Sequence, residues 1–354
     1  MTKKENITVI QNTDVNLNVE DIVMFYHDGT RLIAILTDYL GNPIANATLY
    51  FTINGQTYSR ITDENGNASI ALNLISGIYQ ATISYNGSEI YGNASKNITV
   101  TINSTIDGQN IVKMYQNGTQ FFATFYDNYG NILANTLVRF NINGVFYTRT
   151  TDENGTARLA INLRPGEYIL TAYNNVSGEE RGFNITVKSL IETADLTKYF
   201  QNASKFEATI YNKDGSLAIG KDVTFNINGV FYTRTTDENG IARLAINLRP
   251  GNHIITTIVD DLEVGNNITV LPTLITEDLE MTFKDGSSFN AKIVDGQGMP
   301  LSNQNVTFNV NGLFYYKVTN DEGIASLTIN LMSGEYVITS IWNDFQVGNT
   351  IKIV

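Results

Sequence analysis

The chain has 354 residues, no Cys, two His and a formal net charge of −12. The negative charge argues against a nucleic-acid partner, whose phosphates attract Lys and Arg, and the lack of Cys excludes disulfides, zinc thiolate sites and Cys nucleophiles. With so few His and no apolar run near the roughly 20 residues that cross a bilayer, we also expect no His-based metal site, no cofactor and no insertion of this segment into a membrane.

Four copies of one sequence pattern follow each other along the chain. The letters FNINGVFYTRTTDENG stand at residues 140–155 and again at 225–240, and weaker copies stand at 51–66 and 308–323. Copies at a near-constant spacing indicate one folding unit that is used repeatedly. We predict a remnant of a preceding repeat or a linker at residues 1–15, followed by repeats 1 to 4 at residues 16–103, 104–189, 190–271 and 272–354.

The beginning of the chain indicates a fragment of a longer protein. A closing NITV stands at Asn6, before the first full copy, and the residues after Met1 lack the apolar run of a signal peptide. We therefore expect a monomeric piece of a longer repeat protein, with any anchor outside this segment.

Each copy predicts β-strands throughout, as repeat 2 illustrates. VRFNI places Val138, Phe140 and Ile142 on one face, which is the alternation of a half-buried strand. Asn143-Gly144 then predicts a type I′ hairpin turn, because both central residues of that turn need a positive φ. VFYTRTT is the returning strand, and further strands follow at TARLAINL, EYILTAY and NITV.

The strand pattern predicts the fold class. With the strands at the entry, each repeat has about seven short strands, separated by turn signals every 8 to 12 residues or so, which is the pattern of an immunoglobulin-like sandwich. We therefore predict an all-β chain of four tandem immunoglobulin-like β-sandwich domains in an elongated array.

The repeated motifs resemble a known group of proteins. TDENG-x-A, which precedes an alternating strand, resembles the Ig-like repeats of bacterial and archaeal surface adhesins of the invasin and intimin kind. The fuller pattern DLTKYFQNAS…VTFNINGVFYTRTTDENGIARLAINLRPG resembles adhesin-like proteins of methanogenic archaea, over residues 21–354. The resemblance implies a non-enzymatic, extracellular stalk or adhesin segment that projects a binding region from the cell. Its partner would be an unidentified surface protein or glycan of a host or neighbouring cell.

An alternative function is that each repeat is itself a carbohydrate- or protein-binding module. In every repeat a Tyr is followed two residues later by a cation, and a strand places both on one face. Such pairs can stack sugar rings, or the cation can lie over an aromatic ring as part of ordinary packing. The pairs are Tyr58 and Arg60, Tyr147 and Arg149, Tyr232 and Arg234, and Tyr315 and Lys317.

The repeated DENG turn is a weak candidate for a Ca²⁺ site, because carboxylate oxygens suit a hard cation. The candidate ligands are Asp63, Asp152 and Asp237. The alternative is a turn in which Asp bonds its own backbone and Gly supplies a positive φ. Asn320 stands in the Asp position of repeat 4, which favours the turn.

The resemblance to bacterial surface domains also suggests a Lys–Asn isopeptide crosslink between the first and last strands of a repeat. Two pairs have the right strand positions: Lys113 with Asn184, and Lys198 with Asn267. Met24 and Met281 replace the Lys in repeats 1 and 4. This exchange also fits a Lys stem that packs along an apolar surface with its charged head exposed.

Asn-x-Ser/Thr motifs, which accept N-glycans in exported proteins, recur along the chain. An Asn- and Thr-rich sequence produces many of them by chance. Asn117 and Asn202 fall at matching hairpin positions and are the glycosylation candidates.

Overall fold

The computed structural model describes residues 13–354, which form strands and connections without any helix. Most of the predicted remnant at residues 1–15, including Asn6, lies outside the described residues. The chain divides into two compact units, Met1–Lys188 and Ser189–Val354. This division falls within one residue of the predicted boundary between repeats 2 and 3, and each unit therefore holds two repeats. The boundaries inside each unit stay a prediction.

The described part of the first unit, residues 13–188, contains sixteen strands, eight for each repeat. In repeat 1 they are β1 (Val15–Asn18), β2 (Ile22–Phe25), β3 (Arg31–Asp38), β4 (Thr48–Ile53), β5 (Gln56–Ile61), β6 (Asn67–Ala71), β7 (Gly77–Tyr85) and β8 (Ala94–Asn103). In repeat 2 they are β9 (Ile106–Gly108), β10 (Ile111–Met114), β11 (Gln120–Phe125), β12 (Leu137–Ile142), β13 (Val145–Thr150), β14 (Thr156–Ala160), β15 (Gly166–Tyr173) and β16 (Glu180–Lys188).

The second unit repeats the same series. In repeat 3 the strands are β17 (Ile191–Thr193), β18 (Leu196–Tyr199), β19 (Lys205–Ile210), β20 (Asp222–Ile227), β21 (Val230–Thr235), β22 (Ile241–Ala245), β23 (Gly251–Val259) and β24 (Leu262–Leu271). In repeat 4 they are β25 (Leu274–Thr276), β26 (Leu279–Met281), β27 (Ser288–Ile293), β28 (Asn305–Val310), β29 (Leu313–Val318), β30 (Ile324–Thr328), β31 (Gly334–Trp342) and β32 (Phe345–Ile353).

Every repeat forms one five-stranded and one three-stranded sheet with the same topology. In repeat 2 the strand orders are β10-β16-β15-β12-β13 and β14-β11-β9. All pairs are antiparallel except β10 with β16, which run parallel, and the equivalent first and last strands are parallel in the other three repeats. The all-β sandwich that the alternation predicts is confirmed in each repeat.

The strand count per repeat is eight, one more than the sequence pattern suggested. The additional strand is the very short segment at the entry, such as β9, which pairs with β11 in the three-stranded sheet. The chain then crosses to the other sheet, where β10 pairs with β16. The entry of each repeat thus contributes one strand to each sheet, and this ties the two sheets together at the start of the repeat.

The core lies between the two sheets and consists of the predicted inward faces. Val138, Phe140 and Ile142 are buried, as the alternation predicts. The ring of Phe140 meets that of Phe121 edge to face, with centroids 5.6 Å apart, and repeats 3 and 4 have the same pair at 5.8 Å. Such pairs contribute about 0.5 to 1.5 kcal/mol beyond the burial of their area.

The two repeats of each unit meet through the same two loops. In the first unit, Asn128 Nδ2 donates a hydrogen bond to the carbonyl oxygen of Tyr26 at 2.7 Å. Gly130 lies beside Phe25 with a φ of +84°, and a Cβ on this residue would come within 2.5 Å of the ring. In the second unit, Gly298 lies beside Tyr199 with a φ of +80° and the same 2.5 Å limit. Only glycine fits this contact, so the loops are shaped for their neighbouring repeat.

Candidate functional site

Each five-stranded sheet ends in a strand that the three-stranded sheet does not cover. These exposed edge strands are β5, β13, β21 and β29. In β5, β21 and β29 every residue is exposed, and in β13 only Tyr147 and Arg149 are half-buried. Along their outer side these strands pair with no other strand of the described part of the chain. Apolar and aromatic side chains therefore stand in solvent on both faces of the strand.

An Asn-Gly turn positions each exposed edge strand, as the sequence predicts. Asn143 and Gly144 have φ values of 52° and 77°, which are those of a type I′ turn, and the other three repeats have the same turn. The two-residue loop fixes the register, so that Ile142 lies opposite Val145 and Phe140 opposite Tyr147. Because the register continues through all six residues without interruption, the strand carries no bulge.

The Tyr and cation of each predicted pair share the inner face of the exposed edge strand. Tyr147 and Arg149 lie opposite the core residues Phe140 and Val138. The Arg149 guanidinium carbon is 5.6 Å from the centroid of the Tyr147 ring, and the same contact in repeat 3, Arg234 over Tyr232, measures 6.0 Å. In repeats 1 and 4, Tyr58 and Tyr315 are 40% and 37% exposed, with Arg60 and Lys317 two residues further along. The pairs thus remain accessible on the core side of the sheet.

A second aromatic cluster lies on the outer face of the same strand in repeat 2. The Arg139 guanidinium carbon is 5.5 Å from the ring centroid of Phe146 and 5.3 Å from that of Tyr173. The two rings are themselves 5.9 Å apart, and Phe146 is 58% exposed. Residue order alone does not predict this cluster, because it does not show which strands are neighbours. The hairpin register together with the pairing of Arg139 with Tyr173 would have revealed it.

In the DENG turns, the Asp side chain bonds the backbone of its own loop. Asp152 Oδ1 accepts hydrogen bonds from the backbone N–H of Asn154 and of Thr156, both at 2.9 Å, and Gly155 has a φ of 72°. Asp63 and Asp237 make the same pair of bonds. In repeat 4 the amide oxygen of Asn320 replaces the carboxylate, with distances of 3.0 and 2.9 Å. The turn interpretation therefore accounts for the geometry without a cation.

Two further facts bear on the candidate Ca²⁺ ligands. The Arg243 guanidinium forms an ion pair with Asp237, and this bond holds the pKa of the carboxyl below its usual range. Among residues 13–354, no group of three or more His, Cys, Asp or Glu side chains converges in a way that would hold a metal ion. Each turn thus carries only two acidic residues, such as Asp152 and Glu153, whereas a Ca²⁺ ion takes about 6 to 8 oxygen ligands.

The two candidate crosslinking lysines are buried and bond backbone carbonyls. Lys113 Nζ donates to the carbonyl oxygens of Asn117, Thr119 and Ile161 at 2.5, 3.1 and 2.8 Å. Lys198 Nζ donates in the same way to Ser204 and Ile246 at 3.0 and 2.9 Å. Burial lowers the pKa of both lysines. The expectation of an exposed charged head is wrong, because carbonyls at the strand ends replace water around the ammonium group.

The structure does not bring these lysines to their proposed asparagine partners. In the parallel register Lys113 lies opposite Val187, and Lys198 lies opposite Val270. Asn184 and Asn267 stand on the exposed face of the last strand. The buried Met24 and Met281 fill the same core position in repeats 1 and 4.

A polar link between the first and last strands recurs in all four repeats. The side chain of the residue just before the first parallel strand accepts a hydrogen bond from a backbone N–H of the last strand, at 2.8 to 2.9 Å. The four bonds run from Thr99 to Asp21, from Asn184 to Asn110, from Asn267 to Asp195 and from Thr350 to Asp278. These bonds hold the pKa of Asp195 and of Asp278 below the usual value. The signal was present in the sequence as the aligned Asp or Asn at each repeat entry.

The two glycosylation candidates are engaged within the fold. Asn202 Nδ2, the atom to which an N-glycan is attached, donates to the carbonyl oxygen of Gly296 at 2.6 Å, in the contact between repeats 3 and 4. A glycan on Asn202 would break this contact. Asn117 Oδ1 accepts hydrogen bonds from the backbone and the hydroxyl of Thr119. The carbonyl oxygen of Asn117 accepts a hydrogen bond from Lys113 Nζ.

The sequence is similar to a bacterial adhesin over most of its length. No protein-family model matches the chain. It is 22% identical, over 388 aligned residues, to the inverse autotransporter adhesin YeeJ of Escherichia coli strain K12. The match covers 93% of this chain and 16% of that protein, so the chain spans a small part of its relative. Because this relative is bacterial, the similarity does not support the archaeal origin expected from the repeat pattern.

Two solved adhesin structures are similar over nearly the whole chain. One is a Ca²⁺-stabilized adhesin that helps an Antarctic bacterium reach out and bind ice, at 17% identity and a TM-score of 0.21, covering 98% of this chain and 100% of that one. The other is invasin, a bacterial integrin-binding protein, at 16% identity and a TM-score of 0.23, covering 96% of this chain and 79% of that one. TM-scores this low carry no argument about function, and the fold class rests on the sheets described above.

The described residues 13–354 include no helix that is long and apolar enough to cross a membrane.

Proposed function

We propose that the chain is a non-enzymatic segment of a cell-surface adhesin, in which tandem repeats hold a binding region away from the cell. The observation that carries this proposal is the repetition of one sandwich topology four times along the described chain. The similarity to the inverse autotransporter adhesin YeeJ, over 93% of the chain, supports it. Repeats in series add reach, because each folding unit contacts mainly its neighbours.

The contacts between repeats within each unit support the same proposal. Glycines at the contact leave space for an aromatic ring of the preceding repeat, as Gly130 does for Phe25. Ser76 Oγ of repeat 1 donates a hydrogen bond to the buried carboxylate of Glu179 in repeat 2 at 2.6 Å, and Thr105 donates to the other oxygen of that carboxylate. A set of interlocking contacts between repeats suits a segment whose work is to keep successive domains in line.

The test of this proposal is where the protein lies on the cell. Antibodies raised against the purified chain should label intact cells of the organism that makes it, and brief treatment with an external protease should remove the label. A cytoplasmic protein serves as the control, since it should be labelled only in permeabilised cells. Labelling of this chain that also requires permeabilisation would contradict the proposal.

The alternative, that each repeat is a binding module, is supported by the exposed Tyr and cation pairs. In repeats 2 and 3 the cation of each pair lies over the Tyr ring, and the pair presents a flat aromatic surface that could take a sugar ring. A glycan array probed with the purified chain tests this function. Replacement of Tyr147 and Tyr232 by Ala should abolish any signal, whereas replacement of Phe146 and Phe231 on the opposite face should leave it. Equal loss from both pairs of substitutions would argue against a Tyr-specific sugar site.

A further inference from the structure

Two of the exposed edge strands, β13 and β21, lack the features that normally prevent one sheet from pairing with another. Natural edge strands are blunted by Pro, Lys, bulges or a covering segment. β13 and β21 both read VFYTRT, with no Pro, no Lys and no acidic residue, and their registers with β12 and β20 are unbroken. Their β-branched and aromatic residues are those that favour strand pairing. Each strand thus presents a straight, unpaired row of backbone donors and acceptors.

The hairpin register determines which backbone groups point outward. Thr151, which follows β13, donates its N–H inward to the carbonyl oxygen of Thr136 at 3.0 Å. Backbone N–H and C=O groups alternate in direction along an antiparallel strand. Those of Arg149 and Tyr147 therefore also point toward β12. Those of Phe146, Thr148 and Thr150 point outward, away from the sheet.

Two identical strands can pair edge to edge in only a few registers. The two copies would be related by a two-fold axis perpendicular to the sheet. This axis keeps the core-facing sides of both sheets on the same side. Two residues that lie opposite each other across the contact must therefore both belong to the inner face or both to the outer face of their strands. The register with the most pairs among the outward-pointing residues is centred on Thr148. It places Thr148 opposite Thr148 of the second copy and Phe146 opposite Thr150. Each such pair exchanges two backbone hydrogen bonds.

The same register places each cation opposite an aromatic ring. Tyr147 lies opposite Arg149 of the second copy, in a closely spaced pair with a Cα separation of about 4.5 Å. The guanidinium that stacks on Tyr147 within the chain would therefore also meet a Tyr ring from the other copy. No Arg lies directly opposite another Arg. Like charges directly opposite destabilise a sheet, whereas aromatic and cation contacts stabilise it.

We propose that the exposed edge strands pair antiparallel with the same strands of a second copy of this chain, in the register centred on Thr148 and its equivalents. All four repeats share the required order, a Tyr, one intervening residue and a cation. The central residues are Ser59, Thr148, Thr233 and Tyr316. A second copy fits better than an unrelated strand, because the ring and the cation complement each other only in a strand with this same order.

The strength of the contact follows from its size. One strand pair buries far less than the roughly 1,200 Å² of a stable interface, so a single contact is weak. The chain therefore stays monomeric in dilute solution, as the sequence predicts. Four such strands on each chain make the contact multivalent where many copies meet in opposite orientations. Two crowded surfaces that face each other, rather than dilute solution, are therefore where the pairing operates.

Because the chain has no Cys, single Cys substitutions test the register directly. In Thr148→Cys the two thiols would face each other across a pair with a Cα separation of about 5.5 Å, within the range of a disulfide. In Thr150→Cys the two Cα atoms at position 150 would be about 14 Å apart, because they are offset along the strands by four residues at about 3.4 Å each. The same changes are made at the equivalent positions of repeat 3, whose strand is identical.

The experiment is oxidative crosslinking of the full-length chain over a concentration series, read as covalent dimer on a non-reducing gel. We expect Thr148→Cys to crosslink about tenfold faster than Thr150→Cys, because a disulfide needs a Cα separation below about 7 Å. An equimolar mixture of Phe146→Cys and Thr150→Cys should crosslink, although neither does so alone. Equal rates at positions 148 and 150, or no dimer from any variant, would overturn the proposal.

A second measurement tests the pairing of ring and cation by charge complementation in all four repeats. An acidic chain carries Tyr147→Glu with Arg149→Glu and their equivalents, and a basic chain carries Tyr147→Arg and its equivalents. Each should self-associate less than the natural chain in sedimentation at high concentration, because like charges then face each other. Their equimolar mixture should regain association through Glu opposite Arg. A mixture that associates no more than either chain alone would also overturn the proposal.

Discussion

Substitution of Gly155 by Ala should destabilise repeat 2 more than the same substitution of Gly144. The two glycines have nearly the same backbone conformation, with φ values of 72° and 77°, and Ala at either position is strained at a positive φ. Their surroundings differ. A Cβ on Gly144 would meet nothing within 4 Å, whereas one on Gly155 would lie 2.7 Å from Ile132 Cγ2 and 3.0 Å from the carbonyl oxygen of Phe125.

The magnitude follows from these two contributions. A non-glycine residue in the left-handed region costs about 1 to 2 kcal/mol, and the loss of unfolded-state freedom on replacing Gly offsets about 0.4 to 1 kcal/mol of it. Gly144→Ala should therefore cost roughly 1 kcal/mol. Gly155→Ala adds a steric overlap of the overpacking kind, which costs about 1 to 3 kcal/mol. The Phe125 carbonyl cannot easily move, because it already accepts the N–H of Leu133 at 3.0 Å.

The assay is calorimetry of the full chain, with hydrogen exchange to assign the change to repeat 2. Each kcal/mol lowers the midpoint of a domain of 60 to 100 residues by about 4 to 8 °C. The transition of repeat 2 should thus fall by several degrees in Gly144→Ala and by clearly more in Gly155→Ala, while the other repeats keep their midpoints. If Gly144→Ala proves equally or more destabilising, the packing argument for the DENG turn is wrong.

Four further predictions concern the polar groups. Asp152→Asn should change the free energy of unfolding by less than about 0.5 kcal/mol, because Asn320 makes the same hydrogen bonds in repeat 4. Asp152→Ala should cost about 1 kcal/mol. A melting midpoint that rises with Ca²⁺ in the natural chain but not in Asp152→Ala would instead show a metal site. The Asn131 side chain lowers the pKa of Asp127, and the Asn267 N–H lowers that of Asp195. The stability that these two groups contribute is therefore present above about pH 3.8 and is lost as the pH falls through their lowered folded pKa values. Melting at constant ionic strength should show this loss, and the loss should be smaller in Asp195→Asn. Burial lowers the pKa of Lys113, so stability should rise with pH between its folded value and 10.5, and Lys113→Met should remove that rise; identical alkaline profiles of the two chains would contradict it. The intact mass should equal that of the sequence, and a deficit of one ammonia per repeat would reveal the isopeptide bond that the register disfavours.

Local features of this fold could be predicted from the sequence. The Asn-Gly turns and the inward face of β12 depend on residues that are close together in the chain. Asn143-Gly144 forms the predicted turn, and Val138, Phe140 and Ile142 are buried as predicted. The repetition then extends the prediction to every repeat at once.

Features that depend on distant partners could not be predicted in this way. β9 has only three residues, and its pairing with β11 becomes visible only once the sheets have formed. The Lys113 head is buried because a carbonyl 48 residues away, that of Ile161, receives it. Alternation showed that Tyr147 and Arg149 share a face, but it could not show that the three-stranded sheet stops short of that face. The exposure of the edge strands is therefore a property of sheet width rather than of the strand sequence.

The parallel pairing of the first and last strands determines how a repeat responds to tension. When its two ends are pulled apart, β10 is drawn toward its start and β16 toward its end, so the two strands slide lengthwise past each other. The hydrogen bonds between them, together with the bond from the Asn184 N–H to Asn110, are then loaded in shear and must break together rather than one after another. In single-molecule pulling, each repeat should yield at a distinct high force, and a chain held at one end in flowing liquid would keep its domains folded under drag.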